Sequence, residues 1–163
     1  MSDGQFGLLT PHHVGIVVSN LGAAMDAYIA NFRYTFFQFE VNERNAQFTG
    51  ASAAFTLRFG IGQLGASVVE LIEPVSGTTL YSQHLAKKGP GLHHLAFSAL
   101  DLDAARAAMA AKGYNCLQNG NIQDLVDFSY YEASELGCIV EPLSLRCDHP
   151  MFLLRNARPY PGD

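Results

Sequence analysis

HHVGIVVSNLGAAMDAY at residues 12–28 and HHLAFSALDLDAARAAM at residues 93–109 decide how this chain is read, because one pattern returns at a constant offset of 81 residues, from His12 to His93. A repeat of this length marks a supersecondary unit used twice. Each copy opens as a strand and passes straight into a helix. In the first, Leu21, Ala24, Tyr28, Ile29 and Phe32 fall at helical spacing behind Asn20 as N-cap. In the second, Leu102, Ala105 and Met109 do so behind Asp101, and Gly113 follows as a stop.

Working outward, each helix is followed by three strand-like runs. The first half reads YTFFQFEV, ASAAFTLRF and ASVVELIEPV, the middle run setting Ala53, Phe55, Leu57 and Phe59 on one face by alternation. The second half reads YNCLQ, DFSYYEA and GCIVEPLSL. The glycine-rich RFGIGQLG reads as a hairpin turn, since no helix follows to make it a phosphate cradle. Half a sheet with one helix cannot cover both of its faces, so two such units should join and shape a concave surface. The expected class is α+β: paired βαβββ modules forming a curved mixed sheet around a metal-binding cup.

The expected organisation is one domain over 1–163, with a first module at 11–77, a linker helix and turn at 78–91, a second module at 92–145 and a C-terminal tail at 146–163. The linker helix starts at Thr78 or Thr79 and ends at GPG. The tail, with three prolines, is expected to lie over the surface or onto a second subunit.

Two histidines and two glutamates stand at related places in the halves: His13 and His94 on the first strand of each, Glu70 and Glu141 on the last. His12 follows Pro11 at the strand edge, and alignment on the Asn20 and Asp101 caps selects the second His of each doublet. A glutamate inside VVELI is costly to bury unless a positive partner meets it, and a divalent ion is one. Alternation groups Val68, Glu70 and Ile72 against Val69, Leu71 and Glu73; pairing IEPVS with VEPLS offers a rival alignment in which Glu73 replaces Glu70. Two imidazoles and two carboxylates suit one divalent ion (Zn, Ni, Co, Mn or Fe) and leave coordination positions for substrate.

Composition narrows the function classes. Of 163 residues, 48% are hydrophobic and 15% charged, enough for a sizeable core, with roughly 68–70% of the unfolded surface buried at this length. The net charge is −5 and the cations are scattered, so nucleic acid is excluded as a partner. No apolar run is long enough for a membrane helix and the N-terminus lacks signal-peptide order, which together point to the cytoplasm. Cys116, Cys138 and Cys147 read as reduced thiols, and His84 and His149 as ordinary surface or capping residues.

HHVGIVVSNLGAAMDAY, VVELIEPVSG, GPGLHHLAF and IVEPL together resemble the vicinal oxygen chelate (glyoxalase/bleomycin resistance/dioxygenase) superfamily, from about Pro11 to Leu145, and within it the branch around methylmalonyl-CoA epimerase. The resemblance implies the paired βαβββ fold, metal ligands at His13, Glu70, His94 and Glu141, and Glu141 or Glu70 as the base that moves a proton. It is compatible with a homodimer. The activity implied is that of a metal-dependent isomerase, epimerase or lyase acting through a metal-stabilised enolate on a carbonyl or acyl-thioester substrate. The alternatives are a small-molecule binding protein of the resistance type and an Fe(II) oxygenase. Where these epimerases carry a further glutamate this chain has Ala53, Ala54 and Phe55, leaving Tyr130, Tyr131, Glu132 or Glu40 to supply a second group. Phe48, Phe55 and Phe59, with Tyr130, then suggest a pocket for a more apolar small-molecule substrate. Arg58 is open to two roles, surface charge or anchor for a substrate carboxylate.

Overall fold

In a computed structural model the described residues are 10–48, 51–122, 125–145 and 157–162, with 43–48 and 51–53 described by their backbone alone. The chain forms β1 (Thr10–Val17), α1 (Leu21–Phe32), β2 (Thr35–Phe48), β3 (Ala51–Leu64), β4 (Ser67–Ser76), α2 (Leu80–Lys88), β5 (Gly91–Ser98), α3 (Leu102–Ala111), β6 (Cys116–Ile122), β7 (Val126–Ala133), β8 (Cys138–Leu145) and β9 (Arg158–Tyr160). The strand, helix and three further strands expected of each half are therefore present twice. The chain divides into two units, one of residues 14–93 with 154–163 and one of residues 1–13 with 94–153. The division falls inside β1 and β5, between the ends of those strands and not in the linker.

In the unit of residues 14–93 the strand order is β1-β4-β3-β2-β9, with β1 parallel to β4 and the remaining pairs antiparallel. Helix α1 begins where Asn20 Oδ1 accepts the Ala23 amide at 2.9 Å and ends on Arg33, the one non-glycine with positive φ among the described residues. Its buried face, Leu21 and Met25, packs with Val18, Phe36, Val69 and Leu71 into one core. Each such side chain taken fully out of water contributes about 1.5–3 kcal/mol. RFGIGQLG is not a turn: Gly60 and Gly62 continue β3, and the chain reverses at Gly65, φ +58°. The reason is space. A Cβ on Gly60 would meet Met25 Sδ at 2.8 Å and one on Gly62 would meet Phe36 Cε1 at 2.4 Å, so the glycines let the core approach the strand backbone. Helix α2 starts at Thr79 in a reciprocal capping box with Ser82. Of the tail, 146–156, with Cys147 and His149, lies outside the described residues; Arg158–Tyr160 adds β9 to the β2 edge, where Tyr160 donates to Asp26 Oδ1 at 2.8 Å.

In the unit of residues 94–153 the order is β6-β7-β8-β5, with β5 parallel to β8 and the rest antiparallel. Asp101 caps α3 by accepting the Ala104 amide at 2.9 Å. Met109 packs on Tyr131, Ala133 and Val140, which occupy one face of β7 and β8. Among the described residues no helix is long and apolar enough to cross a membrane.

Candidate metal centre

Alternation assigns the faces. With Val140 committed to the core beneath α3, Glu141 must turn to the other side of β8. The parallel register sets His94 opposite Ile139 and Ala96 opposite Glu141, which brings the two side chains together on neighbouring strands. His94 is 0% exposed and Glu141 5%. Behind them, Arg106 on α3 donates to Ser129 Oγ at 2.7 Å and to the Phe128 carbonyl at 3.3 Å, which fixes β7 where Tyr130 lies beside the His94 ring, centroids 5.2 Å apart.

Three ligand atoms meet in this unit. Nε2 of His13 and Nε2 of His94 are 3.1 Å apart, and Glu141 Oε2 lies 3.1 Å from the His94 nitrogen and 3.4 Å from that of His13. Although both imidazoles are that close, Oε2 is buried and accepts no hydrogen bond of good geometry. The two imidazole nitrogens lie in hydrogen-bonding geometry with each other. An ion about 2.1 Å from each of three ligands would separate them by roughly 3.0–3.4 Å for angles from octahedral to tetrahedral. The triangle fits that requirement, and its donor set, two imidazoles and a carboxylate, is one that Zn, Fe, Co, Ni and Mn accept. Burial alone would raise the Glu141 carboxyl, but the imidazoles of His94 and His13 outweigh it and hold it down at about 2, so it is ionised at neutral pH.

Of the remaining residues expected at the site, Glu70 is half-buried on β4 in the other unit, in register with Gly15 on β1 and Ile61 on β3. Its neighbours Val69 and Leu71 lie in the core under α1, which puts Glu70 on the opposite face of its strand. Glu73 is used elsewhere: its carboxylate accepts the Leu21 amide at the start of α1, at 3.2 Å, and lies 3.8 Å from Arg58. The rival alignment through Glu73 therefore fails, because that residue serves a helix N-terminus. Arg58 lies on the α1 side, where it also donates to Glu40 at 3.1 Å, so it is a surface charge. Phe55 is half-buried and Phe59 buried, the latter stacked on Phe39 with centroids 5.0 Å apart. Phe48 ends β2, and its side chain lies outside the described residues.

Two features were not read from the sequence. His12 does not stay at the strand edge: its Nδ1 lies 2.7 Å from Nδ1 of His13, a contact for which the doublet itself was the signal. The matching His93 packs between Tyr81 and His84, with ring centroids 4.8 and 5.4 Å away, so His84 belongs to an aromatic cluster instead of standing alone on the surface.

Residues 12–130 match the family model described as glyoxalase/bleomycin resistance protein/dioxygenase superfamily, well over half of the chain. The chain belongs to that superfamily. Among solved members of the fold, a point variant of methylmalonyl-CoA epimerase of Streptomyces coelicolor, in complex with 2-nitronate-propionyl-CoA, is 26% identical at a TM-score of 0.65, covering 85% of this chain and 99% of its own. The epimerase of Mycobacterium tuberculosis is 20% identical at a TM-score of 0.65, covering 86% of this chain and 91% of its own. A mutant 4-hydroxymandelate synthase of S. coelicolor shares the fold at 15% identity and a TM-score of 0.62, over 85% of this chain and 49% of its own. No curated protein matches the chain. The superfamily's fold class, α+β with two βαβββ modules, is the one expected from the repeat.

Proposed function

We propose that this member of the superfamily is a metal-dependent isomerase, epimerase or lyase that moves a proton next to the carbonyl of a small ketone or acyl-thioester. The observation that carries the reading is the triangle of His13 Nε2, His94 Nε2 and Glu141 Oε2, with edges of 3.1–3.4 Å around a buried carboxylate oxygen. Glu70 is the fourth ligand in this proposal, on the strength of its place in the repeat. A divalent ion bound there would polarise the substrate carbonyl and ease loss of the neighbouring proton.

The chain's own groups then divide the work. Glu141 or Glu70 would be the base that takes the proton. Tyr130, buried beside His94, and Phe128, 5.2 Å from Tyr130, offer an apolar flank that excludes water and suits a flat acyl or aryl group. Likeness to methylmalonyl-CoA epimerases supports the thioester option. The alanines at 53 and 54, where those enzymes carry a second glutamate, favour one-base proton exchange over two-base epimerisation.

The test is metal content of tag-free protein, followed by solvent deuterium incorporation into a panel of α-branched thioesters and ketones. About one ion per chain and exchange that needs the ion are expected. A folded parent that takes up none of Zn, Ni, Co, Mn or Fe would refute the proposal, and tight binding of an aromatic compound by that metal-free protein would favour a resistance-type binder. A second reading has its own support: within one unit the ligands are two histidines and one carboxylate, the donor set of non-haem Fe(II) oxygenases. Oxygen uptake dependent on ferrous iron would put that reading first.

A further inference from the structure

Adjacent residues of a strand ordinarily face opposite sides, yet the Nδ1 atoms of His12 and His13 lie 2.7 Å apart, with the rings inclined at 75°. At that separation one nitrogen carries the proton and the other offers a lone pair, because two N–H groups or two lone pairs would repel. The rest of the His13 ring decides which. Its Nε2 is the atom that meets His94 Nε2 and Glu141 Oε2. When that Nε2 ligates an ion it presents a lone pair, and the ring's proton then sits on Nδ1.

We infer that His12 is a positioning residue for the metal centre: its Nδ1 accepts the Nδ1 proton of His13, which locks His13 in the tautomer that can ligate and fixes its ring rotation. The inference rests on the metal reading above and assigns a residue that reading leaves idle. A metal-bound histidine usually gives its second N–H to a carboxylate, a carbonyl or water. Here a neutral imidazole takes that place, so His13 is oriented without adding charge to a site that already holds the Glu141 carboxylate. In the second doublet the His93 ring lies against those of Tyr81 and His84.

The test compares the full-length parent with His12→Ala and His12→Asn, measuring Zn and Co affinity by chelator competition and the ring nitrogens of the Zn-loaded parent by 15N NMR. The Asn side chain places an acceptor oxygen at nearly the position of Nδ1, whereas Ala offers none. His12→Ala is expected to weaken binding about 10–100-fold, and His12→Asn to stay within about threefold of the parent. In the parent, His13 should be protonated at Nδ1 and His12 at Nε2. Unchanged affinity in His12→Ala, or a proton found on Nδ1 of His12, would overturn the inference while leaving the metal reading intact. A parent that binds neither ion would remove both. Should His12→Ala fail to fold, as seen by circular dichroism, the tautomers of the parent and the affinity of His12→Asn still decide.

Discussion

Glu141→Ala takes away a carboxylate that lies beside both imidazoles, and the size of the loss can be worked from the site. Its Oε2 closes two of the three edges of the ligand triangle, at 3.1 and 3.4 Å. A four-ligand protein site binds Zn with about 10–16 kcal/mol, or roughly 2.5–4 kcal/mol for each ligand if shared evenly. At about 1.4 kcal/mol per decade, losing one ligand should weaken binding about 10²–10³-fold. Glu141→Gln keeps an oxygen in place while removing the charge, so its loss should be the smaller of the two. The assay is competition against a chromophoric chelator at constant pH and salt, with circular dichroism to establish that the buried substitution leaves the fold in place. Affinity of folded Glu141→Ala within about threefold of the parent would refute the triangle as a metal centre, since even groups that only orient a ligand cost 10–100-fold when lost.

Gly62→Ala should destabilise the protein by about 1–3 kcal/mol, because the new Cβ would lie 2.4 Å from the Phe36 ring and 3.0 Å from Val69; urea unfolding checks it, and an unchanged midpoint would contradict the packing. Asp101→Ala removes the acceptor of the Ala104 amide and should cost about 1 kcal/mol in the same assay, with Asp101→Asn largely retaining stability. Burial first, and Lys88 second, push the His84 imidazole below its ordinary 6.5. The unfolded chain therefore takes up this proton before the folded one does, and stability should fall as pH drops from 6.5 toward the folded value. Proton NMR should place the His84 midpoint under 6.5, with Lys88→Ala raising it only in part; a midpoint above 6.5 would contradict the environment described.

Much of this protein is legible before any coordinates. Caps, apolar spacing and alternation act over a few residues, so Asn20 and Asp101 as helix starts, the two strand-helix-strand runs and the turning of Glu141 away from Val140 could all be read from the chain. The repeat carried the reading further, since it paired His13 with His94 across 81 positions where no single histidine would have stood out.

What only the tertiary structure decided is how residues of similar chemistry were divided among partners distant in sequence. Glu73 looked equivalent to Glu70 until the Leu21 amide, 52 positions away, claimed its carboxylate. Gly60 and Gly62 looked like a turn until Met25 and Phe36 were found to need the space above them. Arg158–Tyr160 acquired a place through β2, on the far side of the chain. His12 and His93 head identical doublets, yet one meets a ring nitrogen of His13 and the other the rings of Tyr81 and His84. Local pattern determines the element and the face on which a side chain stands. The partner it meets there depends on register and packing between strands and helices that the sequence keeps far apart.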